Sequence, residues 1–245
     1  MASAAGAPGA APPPPIAVIL LAGGVGKRMN AGMPKQLLML RAKPILTHSI
    51  DLFLTLPETV SLTVVLDESL RDEFAAHVKA AHPEVASRLR FAPPGVERQD
   101  SVRNGLEVAG VSGKDLVCVH DAARPLVTVA EIRAVCADAR EYGAAVLGVP
   151  SKATVKESAD GSFVLRTIDR SRLWEVHTPQ VIEAELLKTG FKKVDAENLA
   201  VTDDVSIVEQ LGAPVKLTLG EYTNIKITTP EDLPIAESIL QGRQS

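Results

Sequence analysis

The densest chemistry in the sequence lies in Leu21-Ala22-Gly23-Gly24-Val25-Gly26-Lys27-Arg28-Met29, followed by Met33-Pro34-Lys35-Gln36. Three glycines directly after an apolar run let backbone N–H groups approach phosphate oxygens with no Cβ in the way. The spacing is not G-x-x-x-x-G-K-[ST], and Met29 stands where a dinucleotide fingerprint requires Gly or Ala, so two familiar phosphate loops are rejected. Lys27, Arg28 and Lys35 add cations to a chain whose net charge is -4. Positioned cations stabilise the charge that concentrates on a transferring phosphoryl group, which suits a triphosphate or another polyanion. The glycines alone would equally make a tight turn. With the cations, a ligand loop is favoured over a solvated helix flank.

Other segments offer fewer groups. His120-Asp121-Ala122-Ala123-Arg124-Pro125 follows the apolar run LVCV and places an acid, an imidazole and a guanidinium on one loop. Asp121 there can orient a hydroxyl or approach a phosphate-bound cation, and Arg124 can grip a phosphate bidentately; a structural Asp–Arg pair is the alternative. Gly95-Val96-Glu97-Arg98-Gln99-Asp100-Ser101 reads as a helix start with Asp100 or Ser101 as cap. Thr202-Asp203-Asp204 reads as another helix N-terminus, and Lys226 as a lone lysine in a strand over Asn224-Ile225-Lys226. His48, His77, His82 and His177 have no partner at metal-ligand spacing and read as structural or exposed. No Ser-His-Asp or Cys-His set assembles. Cys118 and Cys136 sit in apolar contexts, as free thiols of a reducing compartment do.

The elements that must position these groups follow from the apolar periodicity. IAVILL (16–21), LTVVL (62–66), LVCV (116–119) and AAVLGV (144–149) are apolar on both faces, which suits parallel strands covered by helices on each side. A short strand is expected near Leu89–Phe91. Leu46, Ile50, Phe53 and Leu54 follow a helical spacing, as do Ile132, Val135 and Cys136 before a stop at Tyr142-Gly143. The alternation predicts an α/β Rossmann-like fold, a predominantly parallel sheet with helices on both faces. Residues 150–172 interrupt it with period-two patterns around Asp160-Gly161, predicting an inserted β-hairpin arm that packs on a second subunit or on its own domain. The last helix is expected to be capped by Thr229, with Pro230 at its first position, Asp232 in a capping box and an irregular turn at Pro234.

Residues 1–15 hold only Ala, Gly, Pro, Ser and Met and are expected to form a disordered or polyproline-like tail, leaving 16–245 as a single domain. Their composition does not decide between the remnant of a transit peptide and a plain disordered start. The 26 basic and 30 acidic residues disfavour a nucleic-acid or anionic-membrane surface, and no apolar stretch reaches a membrane span.

Taken together, AGGVGKRM with MPKQ, PGVERQDSV, HDAARP, TVK, DRSRLW, TPQ, VTDD and NIKITTPEDL resemble the 2-C-methyl-D-erythritol 4-phosphate cytidylyltransferase family from about residue 16 to 241. The resemblance implies transfer of CMP from CTP to methylerythritol phosphate with release of pyrophosphate, in the non-mevalonate route to isoprenoids. It assigns Ala22, Gly23, Gly24 and Gly26 to nucleobase, ribose and triphosphate, with Gly95 and Ser101 on the cytidine side. Arg28, Lys35 and Lys226 are the implied catalytic cations at the α-phosphate. Asp121, Arg124 and Thr202 are implied contacts of the second substrate, as are Thr154 and Arg170 on the arm of a partner in a homodimer. Mg²⁺ is expected to ride on phosphate oxygens and water. Val96 departs from the polar residue that relatives often carry, leaving only a backbone contact there. A ribitol-5-phosphate cytidylyltransferase shares the glycine loop, TPQ and NIK, but Lys152-Ala153-Thr154-Val155-Lys156 with Asp169-Arg170 and Leu173-Trp174 resembles the methylerythritol type. An inactive nucleotide-binding module is disfavoured by the presence of all three cations. Likeness to plant and algal members implies a plastid; a bacterial source would imply the cytoplasm.

Overall fold

The computed structural model describes residues 12–24 and 35–243. In chain order its elements are β1 (Ile16–Leu21), β2 (Met39–Leu40), β3 (Lys43–Pro44), α1 (Ile45–Thr55), β4 (Thr59–Val65), α2 (Glu68–Ala81), β5 (Leu89–Ala92), α3 (Arg98–Ala109), β6 (Leu116–Asp121), α4 (Val129–Tyr142), β7 (Ala144–Pro150), β8 (Lys156–Glu157), β9 (Arg166–Thr167), β10 (Trp174–Glu183), α5 (Ala184–Glu197), α6 (Asp204–Glu209), β11 (Lys216–Leu219) and α7 (Asp232–Gly242).

A seven-stranded sheet runs in the order β11-β7-β10-β6-β1-β4-β5. All its pairings are parallel except those of β10 with β6 and β7. The doubly apolar runs explain this architecture. On β1, Ile16, Val18 and Leu20 enter one core with α1, α2 and α4, while Ala17 and Ile19 enter the other with α3, α5 and α6. Side chains alternate across a strand, so a strand covered on both faces must be apolar at every position. Gly105 of α3 keeps that layer close: a Cβ there would stand 2.5 Å from Ile19 Cγ2.

The chain visits β1, β4 and β5 in one direction and then returns to lay β6 on the other side of β1. This reversal leaves a crevice at the carboxyl ends of β1 and β6, where open α/β sheets receive ligands. Leu21 and Asp121 are register partners there. Ala22 N–H continues the ladder to Val65 O (3.0 Å) and Ala122 N–H to Leu21 O (3.0 Å), so both loops leave the sheet rigidly.

The expected hairpin arm is present, pairing Lys156 with Thr167 and Glu157 with Arg166; Ile168 N–H to Val155 O (3.0 Å) and Leu165 N–H to Glu157 O (2.8 Å) flank these pairs, and Ser158 and Asp160 hold the turn between them. Several local expectations need correcting. Residues 224–228 form no strand; they cross the end of the sheet, tied by Ile227 N–H to Ala123 O (2.8 Å). Glu97, not Asp100 or Ser101, caps α3, and Asp100 completes the capping box from the third helical position. The last helix begins at Asp232, whose carboxylate accepts from the N–H groups of Thr228 and Thr229 (2.7 and 2.9 Å). Thr229 and Pro230 form the preceding turn, with i to i+3 bonds ahead of Pro234. β10 and β11 escaped the periodicity: β10 carries Trp174, Glu175, His177 and Gln180 among its apolar residues, and β11 is a short edge strand.

Candidate active site

The crevice opens into a cavity of about 380 Å³ lined by Ala22, Gly23, Gly24 and Gln36 from one side, Gly95 to Arg98 and Ser101 from another, and Asp121 to Ala123 with Lys226 from a third. Each wall has a local cause. Gly23 lies against Pro94, and a Cβ at position 23 would stand 2.5 Å from Pro94 Cβ. Gly95 is pressed onto the start of α3: a Cβ would meet Asp100 Cβ at 2.2 Å. Its N–H donates to Ser101 Oγ (2.9 Å). The glycines at 23 and 95 are therefore demanded by close packing of the two loops, in addition to any approach by a ligand.

Asp121 is the electrostatic centre of the wall. Lys226 Nζ donates to its Oδ2 at 2.5 Å, and Arg98 Nη2 lies 3.4 Å from its Oδ1. Burial alone would raise the Asp121 carboxyl, but Arg98 and Lys226 hold it well below the usual carboxylate range. Arg98 also forks onto Asp204, with Nη1 at 2.6 Å from Oδ1 and Nη2 at 2.8 Å from Oδ2. Burial pushes Asp204 up and works against the charge on Arg98, yet the Arg98 guanidinium is raised further by the two carboxylates. The bidentate geometry is that of an ionised pair.

Behind this wall lies a fully buried relay. The Arg124 carbonyl can only accept, so His120 Nε2 carries the proton and donates to it (3.1 Å). His120 Nδ1 then accepts from the Thr178 hydroxyl (3.1 Å), whose oxygen accepts from Asp121 N–H (3.0 Å). Burial lowers the His120 imidazole to about 4, which keeps it neutral. The relay fixes the backbone from which the Asp121 carboxylate projects.

The cavity brings together Ala22, Gly23, Gly24, Gly95, Ser101, Asp121 and Lys226 of the residues expected from the sequence. Thr202 lines a smaller adjoining recess with Glu97, Arg98 and Asp203. Arg124 does not reach the cavity wall: its Nη1 donates to Asn224 O (2.6 Å) and its side chain is packed beneath the loop, supporting the segment that carries Lys226. Thr154 and Arg170 are exposed on the arm, and Arg170 Nη1 donates to Lys152 O (2.8 Å) at its base. Gly26, Arg28 and the side chain of Lys35 lie outside the described residues, as does most of the tail; Lys35 opens a 3-10 turn, Lys35–Leu37. Val96 is fully exposed at the rim.

Sequence reasoning passed over Arg98, Gln180 and Thr178. Gln180 Oε1 accepts from the N–H groups of Asp204 and Val205 (2.8 and 3.0 Å), and its Nε2 donates to Asp203 (3.0 Å), docking α6 on β10. The only signal for Arg98 was a guanidinium in a loop directly after a strand, which the capping pattern obscured.

Comparison with known proteins matches residues 16–242 to the family described as 2-C-methyl-D-erythritol 4-phosphate cytidylyltransferase, IspD. The chain is 51% identical over 225 residues to the chloroplastic enzyme of that name from Oryza sativa subsp. japonica, covering 91% of this chain and 74% of the rice protein. It is 40% identical to the enzyme of Geobacillus kaustophilus, with 92% and 97% coverage. Among solved structures it resembles 4-diphosphocytidyl-2C-methyl-D-erythritol synthase from Anaerococcus prevotii, with TM-score 0.80, 26% identity and coverage of 93% of this chain and 96% of that one. A doubly wound sheet with its crevice at the β1/β6 reversal, a glycine-walled cavity and a lysine facing Asp121 accord with these matches, and the chain belongs to the 2-C-methyl-D-erythritol 4-phosphate cytidylyltransferase family.

Proposed function

We propose that the chain transfers CMP from CTP to 2-C-methyl-D-erythritol 4-phosphate, giving 4-diphosphocytidyl-2-C-methyl-D-erythritol and pyrophosphate. A phosphate oxygen of the acceptor forms a bond to the α-phosphorus as the bond to the bridging oxygen of the leaving pyrophosphate breaks. The acceptor brings its own nucleophile, so the protein supplies position and charge. The observation that carries this reading is Lys226, held by Asp121 at the wall of a cavity whose other side is the Ala22–Gly24 backbone. Incoming phosphates compete with Asp121 for Lys226, releasing the ammonium toward the reacting phosphorus. Arg98 and Lys226 already face carboxylates, so the further positive charge that a triphosphate requires is assigned to Lys27, Arg28 and Lys35.

The cavity offers Asp121 as an oxygen ligand already engaged by two cations, which fits Mg²⁺ carried mainly on CTP oxygens and water. The ion would supply charge neutralisation along the phosphates. Ala22 N–H is committed to Val65, so this residue would contact nucleotide through its carbonyl or its surface rather than through its N–H. Gly95 and Ser101 border the cytidine, and Thr202 and Asp121 the second substrate.

The arm leaves Phe163, Val164 and Leu165 at 81%, 62% and 65% exposure. An isolated hairpin with so little pairing is marginal in water, and a homodimer in which the arm carries Thr154 and Arg170 to the partner's cavity covers this apolar surface. The likeness to the rice enzyme supports a plastid location. The test is incubation with CTP, Mg²⁺ and either methylerythritol phosphate or ribitol 5-phosphate while pyrophosphate is measured. Release with the first alone is expected. Release with ribitol 5-phosphate alone, or with neither, overturns the assignment.

A further inference from the structure

Away from the cavity, two helices bring together three groups that the sequence leaves unrelated. Asp51 lies on α1, His77 on the last turns of α2, and His82 is the residue that ends α2. Both imidazoles aim Nε2 at the same carboxylate oxygen: His77 stands 2.8 Å and His82 2.9 Å from Asp51 Oδ1. The three ligand atoms all lie within 4.8 Å of one another. The other oxygen, Oδ2, accepts from Lys43 Nζ at 2.7 Å. None of these residues lines the nucleotide cavity.

We propose that Asp51, His77 and His82 form a zinc site that ties α2 to α1. Two imidazole nitrogens and one carboxylate oxygen are a zinc donor set, and a water completes a tetrahedron. Zinc bonds near 2.0–2.2 Å set ligand atoms about 3.3 Å apart, so each Nε2···Oδ1 distance, now 2.8 and 2.9 Å, has to open by roughly half an ångström. The side chains are half-buried rather than locked in the core, at 18% exposure for Asp51, 31% for His77 and 15% for His82, which gives the ion an approach and the rings room to move. Lys43 acts as an outer partner: it orients the carboxylate through Oδ2 and leaves Oδ1 for the metal. Without the metal each Nε2 donates its proton to Asp51 Oδ1, so on binding each Nε2 gives up that proton to water, with Nδ1 taking one up as the ring becomes the Nδ1–H tautomer, and offers its lone pair to the metal. Metal-ligand spacing in sequence did not reveal this set, because Asp51 comes from a different helix and His77 and His82 are separated by the end of α2 rather than by a helical turn.

The test uses the full chain, stripped with EDTA and titrated with ZnCl₂ by calorimetry, beside a His77→Gln/His82→Gln double variant. Glutamine keeps an N–H donor for Asp51 but is a poor zinc ligand. The wild type is expected to bind one zinc that the variant binds roughly 100-fold or more weakly. Zinc should also raise the melting temperature of the wild type alone, while pyrophosphate release in Mg²⁺ stays unchanged in the variant. Equal zinc stoichiometry and affinity in both proteins, or no binding by the wild type at micromolar zinc, overturns the site. A zinc-edge anomalous map of wild-type crystals does not depend on how the variant folds: a peak among the three residues supports the proposal, and peaks only elsewhere reject it.

Discussion

Lys226 and Asp121 form an ion pair at 2.5 Å, which on the proposed reading is the resting position of a charge that an incoming triphosphate draws away. Replacing Lys226 by alanine removes that charge from the transition state, and kcat is expected to fall by about 10²–10³. Lys35→Ala should lose a similar factor on the proposed reading, and wild-type turnover from either variant would take that lysine out of the mechanism. Gly95 is decided by space. Gly95→Ala forces its Cβ against Asp100 and the first turn of α3, at an expected cost of about 1–3 kcal/mol in urea unfolding and a raised KM for CTP. An unchanged urea midpoint would mean that α3 retreats without resistance. At this scale the sequence was informative about residue types and poor about partners. The glycine-rich turn, Asp121 and Lys226 stood out or were carried by the resemblance. Arg98, by contrast, looked like part of a helix start, because its partner Asp204 lies 106 positions away.

The doubly apolar strands and the periods of α1 and α4 were legible because burial on both faces of a sheet, or on one stripe of a helix, writes itself directly into residue order. What escaped was held by polar, long-range contacts. The segment carrying Lys226 looked like a strand, yet Asn224 is fixed by its Nδ2 to Thr178 O (3.0 Å) and by its carbonyl to Arg124, partners no local pattern announces. The bridge from α3 to α6 is of the same kind. Arg98→Met leaves Asp204 buried without its counter-charge, and a loss of about 3–5 kcal/mol is expected in urea unfolding, together with weakened binding at the Thr202 recess. A loss under ~1 kcal/mol would show that the bridge is replaceable by water. For the arm, the proposed homodimer makes the test one of shared sites. If Arg170 serves the partner's cavity, mixing Arg170→Ala protein with Lys35→Ala protein restores one intact composite site per heterodimer, and activity should recover toward a quarter to a half of wild type on simple dimer-mixing arithmetic. No recovery after subunit exchange would confine each site to one chain.

For the whole molecule, acid is the test of how the site is built into the fold. His120 takes a proton at about 4 in the folded chain and at its ordinary 6.5 when unfolded, chiefly because of burial, with Arg124 and Lys226 adding repulsion and Asp121 opposing it. Between those values the unfolded state binds more protons, so stability falls as pH drops from 6.5 to 4. His177, also buried and lowered to about 4, acts in the same window. Below it the lowered carboxylates of Asp121, Asp51 and Glu58 continue the loss, since each is ionised in the folded state where the unfolded chain would be protonated. Asp204, raised by burial, works against this trend. A shift of that size at His120 is worth on the order of 3 kcal/mol once the pH is below 4. Protonation of Nδ1 also removes the acceptor that the Thr178 hydroxyl needs, so the bond between Thr178 and His120 must break or reverse while Thr178 Oγ1 still accepts from Asp121 N–H. The urea midpoint should therefore be level from pH 8 to 7 and fall steeply from pH 6.5 to 4. A His120→Gln chain, which titrates no imidazole there, should start lower and lose less over the same interval. Parallel curves for the two proteins would mean that His120 does not carry the acid sensitivity, and that the Asp121 loop is held by its ion pairs rather than by the buried relay.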